Sequence, residues 1–208
     1  MIVLASRSPR RLELLRLLRP DEPIEVCPPA DSDEDPLDDL RDEADLQRRL
    51  AAIVAGKAEQ VQRQLHRRGE FDPTAAIIAA DTAVILDDPL RSLPQPPDGA
   101  DYAATVRDWL HQMGGRGHRV LTAVELRQGD LTLAATCTTG VRMRPLDDAT
   151  IDWYIATGEP RGKAGGYAVQ GLGSVLIDRV EGSLSGVIGL PLELVGPMLG
   201  DGVTMDAG

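Results

Sequence analysis

Residues 75–86 read AAIIAADTAVIL, an apolar run carrying a single charge, Asp81. A short apolar run bounded by polar and turn-forming segments reads as a buried central strand. A charge in such a strand is costly to bury unless it is paired or coordinates a cation. Two readings stand open from the run alone. In one, the strand ends at Ala80 and Asp81 caps a turn. In the other, Asp81 is a working carboxylate, since perturbed carboxylates gather at functional sites as well as structural ones. The neighbouring sequence has to decide.

Upstream, Ile2-Val3-Leu4-Ala5 is a short apolar strand broken by Ser6-Arg7-Ser8-Pro9. Ser8 suits a helix N-cap and Pro9 the first helical position. Leu12, Leu15 and Leu18 then recur on one helical face. The order strand, tight loop, helix places Arg10 and Arg11 in the first helical turn. Cations there oppose the helix dipole, whereas a bound anion would offset that cost. The alternative is that both arginines merely coat a solvated face.

From Asp21 to Asp45 the chain is densely acidic (ADSDEDPLDDLRDEADL over residues 30–46). Charge runs are usually solvated loops, although one carboxylate, for example Glu34, can reach a cleft. Residues 46–68 read as a helix with Leu46, Leu50, Ile53, Val54, Val61 and Leu65 on one stripe. Lys57 falls on that stripe, either snorkelling to its edge or sending its ammonium into a pocket.

After the Asp81 strand, residues 87–99 hold four prolines and read as a loop. Tyr102, Val106, Trp109, Leu110 and Met113 form an amphipathic helix ended by Gly114-Gly115. His118–Leu126 and Leu131–Arg144 alternate as two antiparallel strands around Gln128-Gly129-Asp130. Asp147 or Asp148 caps a short helix through Ile151, Trp153 and Tyr154. Residues 159–173, EPRGKAGGYAVQGLG, contain five glycines with Lys163 and Gln170 among them. Glycine lets backbone approach a ligand closely, Lys163 offers a charge to phosphate, and Gln170 offers a paired donor and acceptor. Neither the P-loop nor the dinucleotide fingerprint is present. Ser174–Val180 reads as a strand, Ile188-Gly189-Leu190-Pro191 leads into a terminal helix to about Leu199, and residues 200–208 read as a disordered tail.

The bulk numbers bound the rest. A chain of 208 residues can build one substantial core. Strands alternating with helices, without repeats or linkers, indicate one α/β domain over residues 1–199. A net charge of -11 argues against nucleic-acid or membrane-surface partners. No apolar run approaches the ~20 residues that span a bilayer, and MIVLASRSPRR is wrongly ordered for a signal peptide. Cys27 and Cys137 fit neither a disulfide framework nor a metal pattern. The expectation is a reduced, cytoplasmic protein. His66, His111 and His118 lack partners at triad or metal spacing and read as surface or packing residues. What remains is a pocket for a phosphorylated ligand, with a carboxylate to hold metal or activate water.

Four segments carry a resemblance: residues 4–11 (LASRSPRR), 80–82 (ADT), 163–171 (KAGGYAVQG) and 189–192 (GLPL). Together, in this order, they resemble the motif series of the Maf-like nucleoside triphosphate pyrophosphatases, first described as septum formation inhibitors. The resemblance implies an α/β protein of two lobes, a mixed twisted sheet flanked by helices around a central cleft, in the Maf/ITPase-like manner. It implies hydrolysis of a nucleoside triphosphate to monophosphate and pyrophosphate with a divalent metal cation (Mg, Mn or Co), a cytoplasmic role, and often a homodimer. By position, Asp81 matches the proton acceptor, and Arg11, Thr82 and Gln170 match the residues that choose the substrate. Ser8, Arg10, Glu34, Lys57 and Lys163 match the phosphate- and metal-handling set, with Glu34 and Asp81 as metal ligands. Arg11, Thr82 and Gln170 resemble the branch acting on dTTP and UTP; modified nucleotides are a further possibility. One departure stands out: a Gly-Lys-Pro segment usual in the family aligns with Ser92-Leu93-Pro94. Arg91 is the nearest cation to replace the lysine. Leu93 also motivates a rival expectation, a catalytically weak nucleotide-binding regulator of cell division.

Overall fold

The computed structural model describes residues 1–30, 37 and 39–200. Glu34 and the expected tail at 201–208 lie outside the described residues. Seven strands among the described residues form one mixed sheet: β1 (Ile2–Leu4), β2 (Ile24–Val26), β3 (Ala76–Asp87), β4 (Leu90–Leu93), β5 (Gly117–Gln128), β6 (Leu131–Met143) and β7 (Ile177–Glu181). Their order is β2-β1-β3-β5-β6-β7, with β4 also on β3. The β1 pairings to β2 and β3 are parallel and the rest are antiparallel.

Six α-helices among the described residues flank the sheet: α1 (Pro9–Leu18), α2 (Glu43–Arg68), α3 (Tyr102–Met113), α4 (Asp148–Ala156), α5 (Leu184–Ile188) and α6 (Leu192–Met198). The longest, α2, starts and stops for a local reason. The Asp42 carboxylate accepts from the Asp45 amide to cap α2, Glu43 and Asp45 sit in its first turn, and His66, Arg67 and Arg68 in its last. Those charges match the helix dipole. Helix α1 does the opposite, opening on Pro9, Arg10 and Arg11 with no acid in the first turn and no side-chain cap from Ser8.

β3, which carries most of the run at residues 75–86, is the hub. Odd residues Ile77, Ala79, Ala83 and Ile85 pack under α2 with Leu46, Leu50, Val54 and Val61. Even residues Ala76, Ile78 and Ala80 pack under α1 with Leu14 and Leu15. Val84 and Leu86 continue that face into a separate core with α3 and α4. The period of two along a strand dictates this division.

β3 is paired unequally along its two edges. β5 follows one edge from Ile77 to Ile85 without interruption. On the other edge β1 takes Ala76–Ile78 and β4 takes Val84–Asp87. Among the described residues no strand covers the interval between them, where Asp81 and Thr82 lie. The cleft between the two halves of the molecule opens at this gap.

Some expected boundaries moved. β2 lies in a stretch read as acidic loop, and β4 in one read as proline-rich loop. Strands of three or four residues are too short to show a period, and neighbours rather than patterning make them. α5 precedes the expected terminal helix. Residues 171–176, partly expected as strand, form a 3-10 turn before β7. No helix among the described residues is long and apolar enough to cross a membrane.

Candidate active site

The cleft has a volume of about 630 Å3, within the range usual for small-ligand sites. Among the described residues five cationic side chains line it, Arg7, Arg10, Arg11, Lys57 and Lys163, and Asp81 is the sole carboxylate that does. A chain of net charge -11 thus gathers positive charge in one concavity. That arrangement focuses field on an anionic ligand.

Asp81 does not end its strand. β3 continues to Asp87, and Asp81 pairs in register with Ala123, so the turn-cap reading is excluded. As an odd residue it faces α2. There the Lys57 ammonium donates to Asp81 Oδ1 at 2.6 Å. The Arg11 guanidinium reaches the same oxygen at 4.0 Å across the open edge of β3. The three side chains are 17% (Asp81), 11% (Lys57) and 13% (Arg11) exposed. Lys57 therefore takes the pocket reading: its stem runs along the apolar stripe of α2 and its head enters the cleft.

Thr82, being even, faces α1 and α5. Its hydroxyl accepts from Arg11 Nη2 at 3.4 Å and from the Thr122 hydroxyl at 3.0 Å. Arg11 also donates through Nε to the Gly189 carbonyl at 2.9 Å and through Nη1 to Ser6 Oγ at 3.2 Å. Alternation along one strand so separates two tasks: Asp81 meets the lysine of α2, and Thr82 meets the arginine of α1.

Ser8 and Arg10 line the mouth at the N-terminus of α1. Burial, opposed by Glu13, holds the Arg10 guanidinium below its ordinary value. The glycine-rich loop faces them from the other half. Lys163 donates to the Glu159 carbonyl; burial first, then the Arg10 charge, pushes its pKa down. Gln170 is exposed on the cleft wall. Close approach explains one glycine here: a Cβ on Gly165 would lie 2.9 Å from Val84 Cγ1, at a φ of +68° that side chains avoid. Beneath the loop, His118 Nε2 and the Tyr167 hydroxyl lie 2.7 Å apart. Burial lowers the His118 pKa to about 4.

The structure thus brings together Asp81, Lys57, Arg11, Thr82, Ser8, Arg10, Lys163 and Gln170, from five elements and loops. Glu34 lies outside the described residues. Leu93 corrects an expectation. It is 1% exposed, pairs with Val84 and packs in the α3–α4 core, so it is not where a cation would meet the ligand. Arg91 does not take that place either, because its guanidinium donates to Gln112 on α3. The residue that this loop does present to the cleft is Gln95. Sequence reading missed it for want of any period in a proline-rich stretch.

The described residues contain no group of three or more potential metal-ligating side chains. A single cleft carboxylate still fits a hard cation such as Mg, which is commonly held by one or two carboxylates together with substrate phosphates.

A family model for "Maf-like protein" matches residues 1–201. A dTTP/UTP pyrophosphatase of Aromatoleum aromaticum is 41% identical over 197 residues, covering 92% of this chain and 90% of that protein. One of Methylococcus capsulatus is 40% identical over 193 residues, covering 92% and 85%. A HAM1 protein structure from Coxiella burnetii is 14% identical, covers 68% of this chain and 72% of its own, and has a TM-score of 0.43; that likeness is too remote to carry an argument.

Proposed function

Since the chain belongs to the Maf-like protein family, we propose that it is a nucleoside triphosphate pyrophosphatase acting on dTTP and UTP. The observation that carries the reading is the Lys57–Asp81–Arg11 cluster at the open edge of β3, inside a cleft whose other charged lining side chains, among the described residues, are all cations. A carboxylate held between two cations is positioned to accept a proton from water. The surrounding cations are positioned to hold a polyanion.

In this mechanism Arg10, Lys163, Ser8 and the N-terminal end of α1 bind the phosphate chain. Arg11 and Lys57 neutralise charge near the reacting phosphorus. Asp81 orients water and takes its proton as the water oxygen bonds to the α-phosphorus. The bond from that phosphorus to the oxygen bridging toward the β-phosphorus breaks, releasing pyrophosphate and leaving the monophosphate. Asp81, together with Glu34, would hold a divalent cation. Its chemistry there would be to polarise the phosphoryl oxygens. Gln170 offers a donor and an acceptor to the edge of a pyrimidine, and Thr82 and Arg11 approach from the opposite wall.

No observation favours a non-catalytic regulator, because the residue that motivated it, Leu93, belongs to the core. The test is a pyrophosphate-release screen over common and modified nucleoside triphosphates with Mg²⁺, Mn²⁺ or Co²⁺. Monophosphate and pyrophosphate in equal amounts, greatest for dTTP and UTP, are expected. Release of orthophosphate, or nucleotide binding without turnover under any of the three metals, overturns the reading.

A further inference from the structure

Glu159 and Tyr154 do not line the cleft, yet they carry contacts that end there. Glu159 follows α4, and its amide donates to the Thr157 hydroxyl oxygen at 3.0 Å. Its carboxylate accepts from two successive amides of the glycine-rich loop: Leu172 N–H to Oε1 at 3.0 Å and Gly173 N–H to Oε2 at 2.6 Å. Hydrogen bonds to an ionised acceptor are among the stronger ones. Tyr154, buried on α4, takes the other flank of the loop, where its hydroxyl oxygen accepts from the Ala168 amide at 3.0 Å. Burial first, and then Glu159, raise the Tyr154 pKa, so this hydroxyl stays protonated. Two glycines of the loop answer to these contacts rather than to a ligand. A Cβ on Gly171, at a φ of +69°, would collide with Glu159 Oε1, and one on Gly173 would lie 2.7 Å from the Tyr154 hydroxyl.

Gln170 lies between the two anchors, two residues after Ala168 and two before Leu172. It is exposed on the cleft wall, so burial does not place it and its backbone does. We propose that Glu159 and Tyr154 are positioning residues that clamp the loop on both sides of Gln170 and so fix its carboxamide against the base of the nucleotide. The proposal rests on the reading that this cleft takes a pyrimidine triphosphate and that Gln170 meets its base. A side chain on a loose segment has to be ordered when the ligand binds, which weakens binding; a loop already held avoids that cost. The phosphates are met by other groups. Lys163 is held by the backbone carbonyl of Glu159, which survives substitution of the Glu159 side chain. Loss of the clamp therefore acts on the choice of base.

The experiment measures kcat and KM for UTP and CTP, with Tm, in the wild type, Glu159→Gln, Tyr154→Phe, Gln170→Ala and each clamp variant combined with Gln170→Ala. UTP and CTP share phosphates and sugar, so the ratio of their kcat/KM values reports the base alone. Gln170→Ala is expected to lower the UTP-to-CTP ratio about tenfold, the worth of one hydrogen bond. Glu159→Gln keeps an oxygen for only one of the two amides and should lower the ratio about fivefold, chiefly through KM for UTP with kcat little changed. Tyr154→Phe, which leaves the Ala168 amide without its acceptor, should lower it about threefold. In both double variants the ratio falls no further than in Gln170→Ala alone, because a clamp with no carboxamide to place has no effect on the base. Additive losses in the double variants overturn the proposal. So do equal losses on both nucleotides in step with Tm, or a Gln170→Ala ratio equal to that of the wild type. Either clamp variant decides if the other does not fold. If the wild type releases no pyrophosphate from any nucleotide, the enzymatic reading fails separately. Calorimetric affinities for UTP and CTP in the same variants then decide the clamp: a selective, non-additive weakening of UTP supports it, and unchanged ratios of affinities refute it.

Discussion

Replacing Asp81 by Asn removes one negative charge and keeps the shape, and the geometry predicts opposite effects on turnover and on binding. General base catalysis contributes roughly 10²–10⁴-fold, or about 3–5 kcal/mol of barrier, so kcat for dTTP and UTP should fall by that factor. Binding should tighten. Asp81 lies 2.6 Å from the Lys57 ammonium and 4.0 Å from Arg11, so it competes with phosphate for both. Removing a like charge ~6 Å from a phosphate relieves about 3 kcal/mol at an effective dielectric of ~20. Screening in an open, salt-containing cleft reduces this to about 1 kcal/mol, roughly fivefold in Kd. Steady-state pyrophosphate release would measure kcat, and titration calorimetry of dTTP in EDTA would measure affinity without metal. A kcat within threefold of the wild type refutes Asp81 as proton acceptor. Recovery of kcat at high metal concentration reassigns it as a metal ligand alone. Weaker binding in EDTA, at a native Tm, refutes the charge argument.

Four further outcomes follow from other residues. Gln95→Lys places a cation at the cleft wall and should tighten dTTP binding about fivefold, a gain near 1 kcal/mol, by the same titration. Leu93→Lys, by contrast, buries an ammonium in the α3–α4 core and should destabilise the fold by about 3 kcal/mol or more, read as a large fall in Tm without improved binding. His118 is buried beside Tyr167, with Asp87 nearby, and its pKa is lowered from 6.5 to about 4. Between those values the unfolded chain takes up a proton that the folded chain does not, so stability falls as the pH drops from 6.5 to 4. The loss totals about 3 kcal/mol, and His118→Phe should flatten that stretch of a Tm-against-pH curve. Lys163 loses its charge at a lower pH than an ordinary lysine, so KM for nucleotide should rise on the alkaline side below pH 10.5. Lys163→Arg, which keeps its charge, should move that rise to higher pH; an identical KM profile would exclude Lys163 from phosphate binding.

Legibility in the sequence followed element length and local chemistry. α2 and α3 were readable because their stripes repeat over several turns. The ends of α3 coincide with the expected ones, and the start of α2 moved from Leu46 to Glu43. The α1 entry was readable from Ser8, Pro9 and the misplaced arginines. β2, β4 and α5 were not, being three to five residues long and made by what they pack against. Leu93 shows the same limit at one residue. As a letter it stood where a cation was expected; only its register with Val84 reveals a core side chain, with Gln95 at the cleft instead.

The run AAIIAADTAVIL determined by itself that there would be a buried strand and that its charge would need a partner, since burying an unpaired carboxylate is prohibitive whatever the fold. Alternation also determined that Asp81 and Thr82 would face opposite sides. The identity of those sides was a tertiary decision. Lys57, 24 residues upstream, and Arg11, 70 residues upstream, reach Asp81 only because α2 and α1 cover opposite faces of β3. The cleft exists there because β1 and β4 share one edge of that strand and leave its middle open. Pattern along a chain reports which residues must be covered; which residues cover them depends on packing between elements far apart in sequence, and that is where this site is made.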